Sequence, residues 1–123
     1  METTMTAADI AYKAAEIASE RGHCKNIEED GEGHVCFIGA VNLAAFGVSL
    51  RPDFHDRMIR IRVEEILRTA GAILRKRGRD AGPVSFWSSV SFMNAIFWNN
   101  QDSTTGEDVV LLLKETAVEL EGR

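Results

Sequence analysis

The chain has 123 residues, 45% of them hydrophobic and 27% charged, with a formal net charge of −5 at pH 7. That length fits a single domain, residues 1–123, able to bury about two thirds of the surface its unfolded form exposes, and the composition excludes a disordered chain. No apolar run approaches the roughly 20 residues of a membrane-spanning helix, and the acidic balance argues against a general nucleic-acid binder, which needs a summed positive field.

The charge is unevenly spread. Residues 51–80 carry a balance of +4, against −5 for residues 1–50 and −4 for residues 81–123. The start, Met1-Glu2-Thr3-Thr4, has neither the basic nor the apolar region of a secretory signal. Cytoplasmic residence is therefore expected, where two cysteines stay thiols by default.

Five helices and one short hairpin account for nearly the whole chain, a mainly α fold expected to be a compact bundle. The first helix is read over 7–21: Ala7, Ile10, Ala11, Ala14, Ile17 and Ala18 recur at helical spacing. Thr6 caps it, with Asp9 completing a capping box, and Gly22 ends it as a left-handed residue. Residues 25–28 and 34–35 flank Asp30-Gly31-Glu32-Gly33, which predicts a hairpin over about 25–35.

The second helix, about 36–46, is apolar nearly all round and should be central. Gly39 permits a close crossing there and Gly47 stops it. The third helix is read over 54–77, with Asp53 as cap and Asp56 in its first turn. Phe54, Met58, Ile59, Ile66, Leu67, Ala70, Ile73 and Leu74 form its inner stripe, and Gly78 and Gly82 break it.

Pro83 then starts a fourth helix, about 84–98, carrying Trp87, Val90, Met93, Asn94, Phe97 and Trp98. A strand over 84–92 is the competing reading. The last helix follows Thr104-Thr105-Gly106-Glu107, which predicts a capping box. Its inner residues are Val109, Val110, Leu112, Leu113, Ala117 and Leu120.

Three patches carry a resemblance: Arg21-Gly22-His23-Cys24; the Asp30-Gly31 turn running into Cys36-Phe37-Ile38-Gly39-Ala40; and Trp98-Asn99-Asn100 followed by Thr104-Thr105-Gly106-Glu107-Asp108-Val109. Together they resemble a family of small uncharacterised proteins from actinobacteria and their bacteriophages. Its members usually read Gly-Trp-Cys, Val-Cys-x-x-Gly-Ala and Trp-Asn-Asp at these places. The resemblance implies a small helical cytoplasmic protein, bacteriophage-encoded in some members, and it implies no reaction. Two positions depart from the pattern: His23 stands where tryptophan is usual and Asn100 where aspartate is usual. The second puts any acid-dependent role of that patch in doubt.

Several side chains offer chemistry. His23, Cys24, His34 and Cys36 are zinc-type donors on either side of the turn. Adjacent strand residues point to opposite faces, and the usual two-residue gap between ligand cysteines is missing. The better reading is two buried thiols and two peripheral histidines, with no metal and no cofactor. A Cys24–Cys36 disulfide suits a hairpin and is disfavoured by the compartment.

A cysteine nucleophile would need His34 or His55 as base and Asp30 or Asp56 to orient it, and no nucleophile signature surrounds either cysteine. The start of the second helix would lower the Cys36 pKa, and burial would oppose it. No catalytic residue is assigned. The acids Glu28, Glu29, Asp30 and Glu32 around Gly31 and Gly33 would repel phosphate, so those glycines read as a turn.

The sequence therefore points to a non-enzymatic interaction protein that binds another protein, and the resemblance implies a bacteriophage-encoded member acting on a host or viral protein. Its expected surface is Arg57, Arg60, Arg68 and Arg75 on the third helix with Trp87 and Trp98 on the fourth. A self-complementary homodimer is a further expectation. One alternative is a small-ligand or metal-binding protein or enzyme with a site between hairpin and fourth helix, lined by Cys24, His34, Cys36 and Asn94. Another is a weak nucleic-acid binder through residues 57–79.

Overall fold

The structure is a computed structural model and describes residues 5–50, 56–77, 95–96 and 98–122. Four helices form among them: α1 (Ala7–Arg21), α2 (Phe37–Phe46), α3 (Arg57–Lys76) and α4 (Gly106–Glu121). The fold is mainly helical, and none of the described residues forms a strand. The helix expected over 84–98 lies largely outside the described residues, as do Trp87, Asn94 and the strand alternative. Within that span, Ala95–Ile96 and Trp98–Asn99 are helical.

α1 and α4 make the most extensive pairing. α1 buries a face of small residues, Ala7, Ala11, Ala14, Ala15 and Ala18, around Ile10. With no side chain beyond Cβ on that face, a neighbouring helix approaches closely and contact with larger partners fills the gap. α4 brings Val109, Leu112, Leu113, Ala117 and Leu120 to the same core. Thr116 is fully buried there, and its hydroxyl is satisfied by donating to the Leu112 carbonyl at 2.7 Å.

α2 is buried on most sides, through Phe37, Gly39, Ala40, Val41 and Ala44. Its one buried polar side chain, Asn42, donates from Nδ2 to the Ser49 carbonyl at 2.9 Å and fastens the chain that leaves the helix. Gly47 ends α2 in the left-handed conformation expected of it.

α3 is strongly amphipathic. Val63, Ile66, Leu67, Ala70, Gly71 and Leu74 are buried. Met58, expected inside, is 53% exposed. The buried stripe of Val63, Ile66, Leu67, Ala70 and Leu74 lies on the side of Ile59, which packs against the core, and not on that of Met58.

The caps show where sequence patterns were read correctly and where they slipped. At Thr6 both bonds of the capping box form: its hydroxyl accepts from Asp9 N at 3.1 Å and its N–H donates to Asp9 Oδ2 at 3.0 Å. At α4 the box sits one residue later than expected, on Thr105 and Asp108, with the reciprocal bonds at 3.2 and 3.0 Å. Thr104 is buried instead and donates to the Trp98 carbonyl at 2.6 Å. At α3 Asp56 is the cap itself, accepting from Met58 N at 2.7 Å. The expected cap, Asp53, lies outside the described residues.

The hairpin expected over 25–35 does not form. Val35 instead makes two isolated bridges, parallel to His23 and antiparallel to Glu29. The three segments are too short to build a ladder, so each pairing stops after one residue. The chain from Gly22 to Cys36 is a strap folded over the start of α2.

Candidate functional site

Asn99 holds the strap in place. It is 1% exposed, and both ends of its amide are used. Oδ1 accepts the Phe37 N–H at 2.9 Å and faces the His23 ring Nε2 at 2.9 Å. Nδ2 donates to the Cys24 carbonyl at 3.2 Å and to Asn100 Oδ1 at 3.1 Å. Because Oδ1 is the acceptor in this network, His23 carries its proton on Nε2. The Phe37 N–H is one of the orphan donors at the start of a helix, so a residue 62 positions away caps α2.

Asn100 Oδ1 also accepts the Asn26 N–H at 2.7 Å. Lys25 Nζ donates to the Gln101 carbonyl. The Trp98–Gln101 turn thus grips the strap at His23, Cys24, Lys25 and Asn26. The Asn99 side chain thus reaches across the molecule as well as to its neighbour Asn100.

Among the described residues Asn100 uses its oxygen as acceptor for Asn26 and Asn99, and His23 presents one ring N–H to Asn99.

The turn itself is organised by Asp30. Its Oδ1 accepts from Glu32 N and His34 N, both at 2.9 Å, and its Oδ2 meets His34 Nδ1 at 2.7 Å. Desolvation pushes the Asp30 carboxyl up, but the His34 ring and the N–H groups of Glu32 and His34 outweigh it and hold the pKa below its ordinary value. Gly22 and Gly39 make the close approaches. A Cβ on Gly22, whose φ is +84°, would lie 2.9 Å from His34 Cδ2, and one on Gly39 would run into the Glu28 carbonyl.

The two thiols lie within this strap and are held protonated. Cys24 Sγ–H lies 3.2 Å from the Ile27 carbonyl and 3.3 Å from the His34 carbonyl. Burial, reinforced by neighbouring Cys36, Asp30 and Glu28, pushes its pKa up to about 11. Cys36 is the N-cap of α2, with Sγ accepting from Gly39 N at 3.4 Å. Burial dominates there too, and its pKa is raised despite that bond. The dipole argument for a reactive Cys36 therefore loses to desolvation.

The four zinc-type donors do not converge. His23 turns to Asn99, His34 turns to Asp30, and the two thiols bond to backbone. Among the described residues no group of three or more His, Cys, Asp or Glu side chains is arranged to hold a metal ion. His55 and Asn94 lie outside the described residues, so the site imagined between strap and fourth helix is not defined on its far side.

The expected surface residues divide. Trp98 is 2% exposed and packs in the core, not on a surface; its place at the turn that grips the strap draws it inward. Trp87 lies outside the described residues. Arg57, Arg68 and Arg75 are exposed along one side of α3, and Arg60 is half-buried beside Glu64 at 3.9 Å. Between them lie two exposed aliphatic residues the sequence reading missed as surface, Met58 and Ile61, the latter 43% exposed. Their signal was available: Ile61 lies one turn from Arg57 and two from Arg68, on the charged side of the helix.

Among the described residues, four helices and a strap bolted to their core by a buried asparagine make a mainly α-helical fold. The chain belongs to a family of unknown function, DUF6197, whose pattern matches residues 2–119. No curated protein and no solved structure matches it.

Proposed function

We propose that this protein is a non-enzymatic binding module that engages another protein through the outer face of α3. One observation carries the reading. Among the described residues, His23, Cys24, His34 and Cys36 are bonded to side chains or backbone around Asn99 and Asp30, while Arg57, Met58, Ile61 and Arg68 lie together at the surface. Arginines beside exposed aliphatic side chains are the composition of an interface core rather than of a merely solvated face. Arg57 and Arg68 make no ion pair among the described residues, in contrast to Arg77, which pairs with Glu115 of α4.

The resemblance to actinobacterial and actinobacteriophage proteins supports a cytoplasmic setting in a bacterial host, with a host or viral protein as partner. No helix described is long and apolar enough to cross a membrane.

The test places a photo-crosslinking amino acid at Ile61 on α3 or at Lys13 on α1, both exposed, in cells that make the protein. A discrete adduct from position 61, absent from position 13 and lost on combining Arg57→Glu with Arg68→Glu, supports the module. No adduct from position 61, or an adduct made entirely of nucleic acid, contradicts it.

A further inference from the structure

We infer that Cys24 and Cys36 form a dithiol pair that closes to an intramolecular disulfide by exchange with small-molecule disulfides, making the strap a redox-modifiable element. The argument starts from backbone register. Val35 N–H donates to the Gly22 carbonyl at 3.0 Å, and the Val35 carbonyl accepts from Cys24 N–H at 3.1 Å. These two bonds define the parallel bridge between His23 and Val35. One step back sets Gly22 beside His34; one step forward sets Cys24 beside Cys36.

Side chains two positions apart on an extended segment share a face. The earlier pair shows that its members do so, since a Cβ on Gly22 would sit 2.9 Å from the His34 ring. Cys24 and Cys36 are then on that face together. Cys36 is still extended, with φ −88° and ψ 179°, so the register continues through it. Paired segments lie about 4.8 Å apart, inside the Cα separation of about 4.4–6.8 Å that a disulfide spans.

Two further contacts draw the thiols together. Cys24 Sγ leans across the neighbouring segment to the His34 carbonyl at 3.3 Å. The Asn99 amide holds the Cys24 carbonyl at 3.2 Å and the Phe37 N–H at 2.9 Å, so one side chain fixes the backbone on both sides of the pair. Closure needs the Cys36 sulfur to turn away from Gly39 N, giving up the serine-like cap it provides, and takes from Cys24 the S–H that faces the Ile27 and His34 carbonyls.

The exchange balances without further reagents. The Cys24 thiolate attacks one sulfur of the small disulfide, forming a mixed disulfide and releasing one small thiolate. The Cys36 thiolate then attacks the Cys24 sulfur and releases the second. The two protein protons end on the two released thiols.

The test titrates the intact protein with oxidised glutathione and reduced glutathione at fixed ratios, quenches in acid and measures mass and linked peptides. The expected product has lost two hydrogens, joins the Cys24 and Cys36 peptides, and forms at least about tenfold more favourably in native buffer than in concentrated urea. Cys36→Ser, which keeps a capping oxygen, and Cys24→Ser each abolish it. Glutathione adducts without a Cys24–Cys36 link, or a closure equilibrium no better in the native state than in urea, overturn the inference.

Discussion

Asn99 caps Phe37 across the whole molecule: the asparagine oxygen takes the first free N–H of α2 at 2.9 Å. The same amide carries the His23 ring and the Cys24 carbonyl. One buried side chain therefore joins the turn before α4, the strap after α1 and the start of α2. Asn99→Ala should cost about 2–4 kcal/mol, because two buried backbone groups lose their partners at once. Urea unfolding followed by circular dichroism measures it. A loss below about 1 kcal/mol would mean that water replaces the amide.

Asn100 acts through its oxygen alone, toward Asn26 N and Asn99 Nδ2. Asn100→Asp should leave stability within about 0.5 kcal/mol, and Asn100→Ala should lower it by about 1 kcal/mol. Equal losses from both variants would show that something other than the acceptor matters at this position.

Gly39 packs against the Glu28 carbonyl, whereas a Cβ added to Gly33 would meet nothing within 4 Å among the described residues. Gly39→Ala pushes a methyl into backbone that is itself tied to Cys36 N at 3.1 Å, and should cost about 2 kcal/mol or more. Gly33→Ala meets only the strain of its φ of +86° and should cost about 1 kcal/mol. The order of the two unfolding midpoints checks the claim.

Acid should loosen the strap. The folded Asp30 pKa lies below its ordinary value of 3.8, so the carboxylate stabilises the fold above that pH and its contribution fades as pH falls through the lowered folded value. Asp30→Asn should remove that part of the acid sensitivity, seen as a flatter dependence of the urea midpoint between about pH 5 and pH 2. Alkali acts through Cys24 in the opposite sense. Its folded pKa is raised from 9.0 to about 11, so the protonated thiol stabilises the fold fully below the unfolded value, and that contribution is lost as pH rises through the folded one. Alkylation of Cys24 by iodoacetamide should therefore lag an unfolded cysteine by about a hundredfold at pH 8 and catch up only near pH 11.

Much of this architecture is readable in the chain. The alanine face of α1, the Thr6–Asp9 box and the stop at Gly47 are local patterns whose physics is complete within a few residues. The errors share a cause. The hairpin was inferred from the Asp30-Gly31-Glu32-Gly33 turn, yet Asp30 spends its carboxylate on Glu32, His34 and the His34 ring, closing a turn that needs no ladder beyond it. Asn99 could not be placed because its partners Phe37 and Cys24 stand 62 and 75 positions away, and no local period encodes that. Of the two thiols expected to be buried, Cys36 is and Cys24 is half-buried, and their alignment through Val35 required the backbone.

The proposed function divides the molecule between the Asn99 cluster, which holds the fold together, and the α3 face, which we propose as the binding surface. The most direct measurement compares partner recovery and melting temperature in two variants. Arg57→Glu combined with Arg68→Glu should melt within about 2 °C of the parent, since exposed charge changes cost little, and should lose the partner. Cys24→Ser combined with His34→Gln should melt lower and still recover it when assayed well below its melting temperature. Retention by the α3 variant together with loss in the folded strap variant would contradict the account.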